Sequence, residues 1–273
     1  MCRLAAYLGQ PLFLEELIAK PRHSLMRQSL HADRAKMQTN GDGFGIGWYG
    51  DRDEPGVYRE VMPAWSDDNL LALSQTLRSR LFFAHVRAAT AGGIARQNCH
   101  PFRHGRYLFM HNGQIGGYAQ LRRTLECMLP DELFATRRGA TDSELLFLLA
   151  LARIERGAEM ADAVLAVLRD VAALMHERDL EAALRFTAVL SDGDRLIAFR
   201  IASDGQPPSL FLRRCERGTI VASEPLCDAQ PGWEAVPANS VLVVDRQGAS
   251  LARVDALLTL TNESAATGYL CTA

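Results

Sequence analysis

The segment MCRLAAYLG (residues 1–9) sets a cysteine at position 2 directly before an apolar run that reads as a buried strand. Removal of Met1 during synthesis would leave Cys2 as the first residue, with a thiol and a free α-amine on one carbon. Such a residue is a nucleophile that carries its own base. A small residue at the start of a core strand needs no such explanation, so the reading of Cys2 depends on what the rest of the chain supplies.

The chain has 273 residues, 48% hydrophobic and 23% charged, which is enough for a sizeable core. A formal net charge of −2 with scattered arginines gives no basic stripe, so nucleic acid is not expected as a partner. No run reaches the roughly 18 uninterrupted apolar residues of a membrane span, and the first residues lack the pattern of a secretory signal. A cytoplasmic chain without membrane contact is therefore expected. The six cysteines form no C-x-x-C pair and share no metal-ligand spacing with the seven histidines, so free thiols and no metal are expected. No G-x-x-x-x-G-K signature is present, and no organic cofactor is implied. With no repeat and no Gly/Ser linker, residues 1–273 are expected to form a single domain.

Periodicity predicts a strand over 3–8, helices over 12–19 and 24–30, and a hairpin joining 43–49 to 57–61 across the turn-forming DRDEPG. A helix over 67–78 and buried strands over 81–86 and 107–111 follow. Thr141, with Glu144 three residues later, reads as a capping box for a helix running to 154, and a second long helix covers 160–175. The last third reads as strands over 182–190, 195–201, 209–213, 219–222 and 240–244. Strands, then helices, then strands point to an α+β fold in which helices cover two packed sheets.

Four polar, glycine-containing stretches fall where strands end or helices begin, the places where a scaffold presents a site. They are NGDGFGIGW (40–48), HVRAATAGG (85–93), NCHPF followed by HNG (98–102 and 111–113), and GATDSE (139–144). Arg87 is either a rim arginine or a planar fork for a carboxylate. Asn112-Gly113 is either a type I′ hairpin turn or a pair of donors to a developing oxyanion. Asp142 either supports a helix N-terminus or holds an ammonium, and His100 before Pro101 is either structural or part of the site. Taken with Cys2, these groups supply what hydrolysis of an amino acid's side-chain amide requires: a nucleophile, an oxyanion hole, and holders for the α-carboxylate and α-ammonium.

The lone Met before Cys2 and the ordered HVRAAT, NCHPF, HNG and TDSE segments resemble the class II glutamine amidotransferases, which are N-terminal-nucleophile hydrolases. NGDGFGIGW, MCRLAAYLG and VASEPLCDAQPGWEAVP (221–237) are similar to the single-domain EgtC/Dug3-like branch. The resemblance implies a four-layer αββα sandwich of two antiparallel sheets. It also implies an amidohydrolase that opens the γ-glutamyl amide of glutamine or a γ-glutamyl compound through a Cys2 thioester and releases glutamate. On that basis Cys2, Asn112 and Gly113 are the catalytic residues, and Arg87, Thr90, His100 and Asp142 bind the small-molecule γ-glutamyl substrate. Two alternatives stay open: a glutaminase subunit that works with a partner synthetase or peptidase subunit, and a γ-glutamyl-binding module that keeps Met1. The chain departs from the R-W-A-T-H pattern of multidomain synthases, with Ala88 and Ala91 at the tryptophan and histidine places. Asn40 stands where those synthases carry an arginine. These departures imply more open walls around the leaving group, suited to a substrate larger than glutamine.

Overall fold

In the chain's computed structural model, which describes residues 2–34, 39–89, 93–227 and 232–254, the opening run forms β1 (Arg3–Phe13). The short helices α1 (Glu15–Ile18) and α2 (Leu25–Leu30) follow, then the hairpin β2 (Phe44–Trp48) and β3 (Gly56–Glu60), α3 (Asp68–Thr76) and β4 (Arg78–Val86). Next come β5 (Phe102–His104), β6 (Tyr107–Ile115), and four helices: α4 (Tyr118–Cys127), α5 (Asp131–Thr136), α6 (Asp142–Ile154) and α7 (Met160–Glu177). The chain then returns through β7 (Leu184–Ser191), β8 (Leu196–Ala202), β9 (Phe211–Cys215), β10 (Gly218–Ala222), β11 (Trp233–Ala235), β12 (Ser240–Asp245) and β13 (Gly248–Arg253).

The strands pair into two antiparallel sheets, one ordered β11-β9-β10-β1-β4-β2-β3 and the other β13-β12-β8-β7-β6-β5. Side-chain alternation explains how they stack. Leu4, Ala6 and Leu8 of β1 meet Leu108 and Met110 of β6 in a core between the sheets, with Phe83, Val189 and Leu242 beside them. Ala5 and Tyr7 point the other way and pack under Leu17, Leu25 and Leu70 of α1, α2 and α3. On the far side, Phe109, Phe186 and Phe199 pack under Leu145, Leu149 and Leu168 of α6 and α7. Strands covered on both faces read as continuous apolar runs, which is the pattern of 3–8. The layers are therefore αββα, as the resemblance implied.

Several expectations are corrected. The helix read over 12–19 shrinks to α1, because Leu12 and Phe13 stay in the ladder opposite Ser79 and Arg78 beyond a register shift. The helices α4 and α5 and the short strands β5, β11 and β13 were not anticipated. Cys2, Cys99, Cys215 and Cys227 are free, whereas Cys127 is disulfide-bonded, against the free-thiol expectation.

Candidate active site

The inward rows of both sheets are apolar along most of their length and turn polar at one end. On β4 the row continues from Leu81 and Phe83 to His85 and, by the same two-residue step, to Arg87. On β6 it continues from Leu108 and Met110 to Asn112. Arg3 pairs with Val86, so Cys2 stands against Arg87 one step further along the ladder.

The Cys2 thiol donates to the Ala88 carbonyl at 3.5 Å, and the Ala88 N–H donates back to the sulfur at 3.4 Å. Burial pushes the Cys2 thiol above its ordinary range, while the Ala88 backbone bond and the positive charges of Arg87 and Arg3 pull it down. Arg87 is 3% exposed. Its backbone is fixed by the glycine-rich loop: the Arg87 N–H donates to the Gly43 carbonyl at 2.8 Å, and the Asp42 N–H donates to the Arg87 carbonyl at 3.0 Å. The Asp42 carboxylate also accepts from the Ala89 N–H at 2.8 Å. Gly45 in the same stretch faces the neighbouring His100 carbonyl so closely that a Cβ would lie 2.2 Å from it. The NGDGFGIGW signal thus describes a latch on the strand end that carries Arg87.

Asn112 and Gly113 lie within β6, opposite Thr187 and Phe186 of β7, so the type I′ turn reading is excluded. Asn112 is 1% exposed, and neither its Nδ2 nor its Oδ1 has a hydrogen-bond partner among the described residues. A Cβ on Gly113 would lie 2.0 Å from the Arg185 carbonyl oxygen, so only glycine permits this approach of β6 to β7.

Asp142 opens α6, whose cap is Thr141: its hydroxyl accepts from the Glu144 N–H at 3.2 Å. The other half of the expected capping box differs, since the Glu144 carboxylate accepts from the Arg138 and Gly139 N–H groups. Asp142 is buried and accepts from the Ile115 N–H at 2.9 Å, which ties the start of α6 to the end of β6 just past Gly113. The His111 Nδ1 lies 2.8 Å from the Ser143 hydroxyl, a second tie between the two elements.

His100 packs its ring against His85 (centroids 4.3 Å apart) and Phe102 (4.5 Å). Neither of its ring nitrogens has a hydrogen-bond partner among the described residues. Burial holds His100 well below the ordinary histidine range, and His85 is pushed down to about 3, burial being the main cause and the Arg87 charge adding to it. Thr90 and Met1 lie outside the described residues. Among the described residues no three His, Cys, Asp or Glu side chains converge as a metal-ligand set.

Sequence reasoning missed two groups. Asn98 accepts from the Ala140 N–H at 3.0 Å and donates to the Gly93 carbonyl at 3.3 Å, so it joins three of the polar stretches. Ser143, inside the TDSE run, binds His111 of HNG. Both lay in motifs already singled out, but nothing in residue type or spacing told them from their neighbours.

Comparison with known proteins places the chain in a family. Residues 18–206 match the family model described as glutamine amidotransferases class-II. The chain is 32% identical to the probable glutamine amidotransferase DUG3 of Saccharomyces cerevisiae, covering 90% of this chain and 82% of that one. It is 30% identical to the gamma-glutamyl-hercynylcysteine sulfoxide hydrolase of Mycolicibacterium smegmatis, covering 87% and 92%. Among solved structures it is similar to a glutamine aminotransferase class-II domain protein from Silicibacter pomeroyi, with TM-score 0.72, 35% identity, and coverage of 92% and 99%. The glutamine phosphoribosylpyrophosphate amidotransferase of Bacillus subtilis shares the fold at TM-score 0.64 and 15% identity, covering 93% of this chain and 49% of that one. A family model across most of the chain, and relatives matched along nearly all of it, converge on one family: this chain is an enzyme that belongs to the class II glutamine amidotransferases.

Proposed function

We propose that the enzyme hydrolyses a γ-glutamyl amide bond through Cys2 once Met1 has been removed. The observation that carries this reading is the Asn112 side-chain amide, buried on the inward row of β6 with both polar atoms unpartnered among the described residues. A buried amide left in that state costs stability unless something satisfies it. A developing oxyanion is such a partner, and a preorganised donor is worth most where charge appears.

The α-amine of Cys2 takes the thiol proton, directly or through one water, and the sulfur attacks the γ-carbonyl carbon. Asn112 Nδ2 and the Gly113 N–H receive the negative oxygen of the tetrahedral intermediate. The amine leaves with a proton, and water then opens the γ-glutamyl thioester to give glutamate. Arg87 holds the α-carboxylate and Asp142 the α-ammonium, and Thr90 and His100 complete the substrate pocket. The similarity to a γ-glutamyl hydrolase of M. smegmatis supports a γ-glutamyl compound as substrate. No described helix is long and apolar enough to cross a membrane, and we place the reaction in the cytoplasm.

The test is glutamate release from glutamine and γ-glutamylcysteine by the purified chain, with intact mass measured on the same sample. Release by protein that lacks Met1, absent in Cys2→Ala, is the expected result. No release from any γ-glutamyl compound by correctly processed protein would overturn the proposal. Activity that emerges only with a second protein would favour the partner-dependent glutaminase.

A further inference from the structure

The residue after the nucleophile is an arginine whose side chain is wholly buried. Burying a guanidinium is costly and is offset only by good geometry. Arg3 Nε donates to the Cys2 carbonyl at 2.7 Å, and Nη1 donates to the Glu224 carboxylate at 2.9 Å. Glu224, 4% exposed, also accepts from the backbone N–H groups of Asp33 and Arg34 at 3.1 and 2.9 Å. The adjacent Ser223 grips Leu4 twice, its N–H donating to the Leu4 carbonyl at 2.9 Å and its hydroxyl accepting from the Leu4 N–H at 3.0 Å. The strand that presents the nucleophile is therefore braced from the 223–224 segment.

Cys2 lies outside the first ladder pair of β1, Arg3 with Val86. A chain-terminal residue frays unless it is tied down. The ties to its sulfur are long ones, at 3.4 and 3.5 Å to Ala88. Rotation about the Cys2 Cα–C bond swings amine and sulfur together, and the carbonyl held by Arg3 is the group that fixes that rotation.

We propose that Arg3, braced by Glu224, is a positioning residue for amide hydrolysis: by holding the Cys2 carbonyl it sets the direction in which the amine and sulfur meet the substrate carbonyl. This inference rests on the functional reading above. Arginine suits the task because its planar fork bonds the carbonyl and the carboxylate at once, and a lysine ammonium on its flexible stem does not reproduce that fork.

Arg3→Lys and Glu224→Gln test it, each confirmed by intact mass to have lost Met1. The readouts are kcat and KM for the best γ-glutamyl substrate, the rate of Cys2 alkylation by iodoacetamide, and the melting temperature. Misplacing a reacting group by about 1 Å costs on the order of 10²-fold. We therefore expect kcat to fall about 10- to 100-fold in both variants, with KM and the alkylation rate close to wild type. Folded variants with unchanged kcat would overturn the inference. So would kcat and alkylation falling in parallel, since that pattern reports thiol activation instead of orientation. Should Arg3→Lys fail to fold, wild-type kcat in Glu224→Gln would overturn it alone. Wild-type enzyme that is alkylated at Cys2 yet hydrolyses nothing would overturn the functional reading itself, a result distinct from these.

Discussion

Truncating the Asn112 side chain to alanine is expected to lower kcat by about 10²–10³-fold with a smaller change in KM, because one oxyanion donor is lost and the Gly113 N–H remains. Steady-state glutamate release measures both constants, and a loss confined to KM would assign Asn112 to substrate binding instead. The pH dependence follows from the Cys2 thiol. Burial raises it, so at neutral pH the thiolate must come from proton transfer to an uncharged α-amine, whose ordinary value is about 7.7–8.0. Below that value the amine is protonated and cannot accept. Thus kcat/KM should fall about tenfold per pH unit on the acid side and level off above about pH 8. A chain that retains Met1 should lack this limb, because its Cys2 nitrogen is an amide.

At the level of elements, Gly113→Ala is expected to cost about 1–3 kcal/mol in urea unfolding, since its Cβ would sit 2.0 Å from the Arg185 carbonyl oxygen and force β6 away from β7. Thr141→Ala should cost about 1 kcal/mol through loss of the α6 cap. These positions also show what could be read from the sequence. The long apolar strands and the two central helices announced themselves, because buried rows such as Leu4, Ala6 and Leu8, or Leu145 and Leu149, leave a period. Helix α4 buries only Leu121 and Leu125 among polar residues, and β13 is exposed along most of its length, so neither left a pattern. Leu12 and Phe13 read as helical and were held in the strand by pairing to β4, a contact no local window contains. In the candidate site, glycine, asparagine and aspartate at strand and helix ends marked stretches that the fold brings together. Which side chain binds which was illegible: Arg3 meets Glu224 across 221 positions, and His111 meets Ser143 across 32.

On the scale of the whole molecule, three buried histidines gather at the active-site end, His85 ring to ring with His100, and His111 on the helix-facing side of its sheet, bonded to Ser143 of α6. His85 belongs to one sheet, His111 to the other, and His100 to the segment that leads into β5. All three are held below the ordinary histidine range, in each case chiefly by burial, so the native state keeps them neutral where the unfolded chain would protonate them. Between the ordinary value near 6.5 and the depressed native values, the unfolded chain binds up to three more protons than the native one. Stability from this source is full above about pH 6.5 and is lost as pH falls, with a slope of up to about 4 kcal/mol per pH unit. For a protein whose total stability is on the order of 5–15 kcal/mol, this predicts cooperative acid unfolding well before His85 reaches its native value of about 3. Urea denaturation at intervals between pH 7 and pH 5 measures the slope, in a range where most carboxylates are still ionised. His85→Gln should reduce that slope by about 1.4 kcal/mol per pH unit, one proton's share. A slope that the substitution leaves unchanged would show that His85 takes up its proton without parting the sheets.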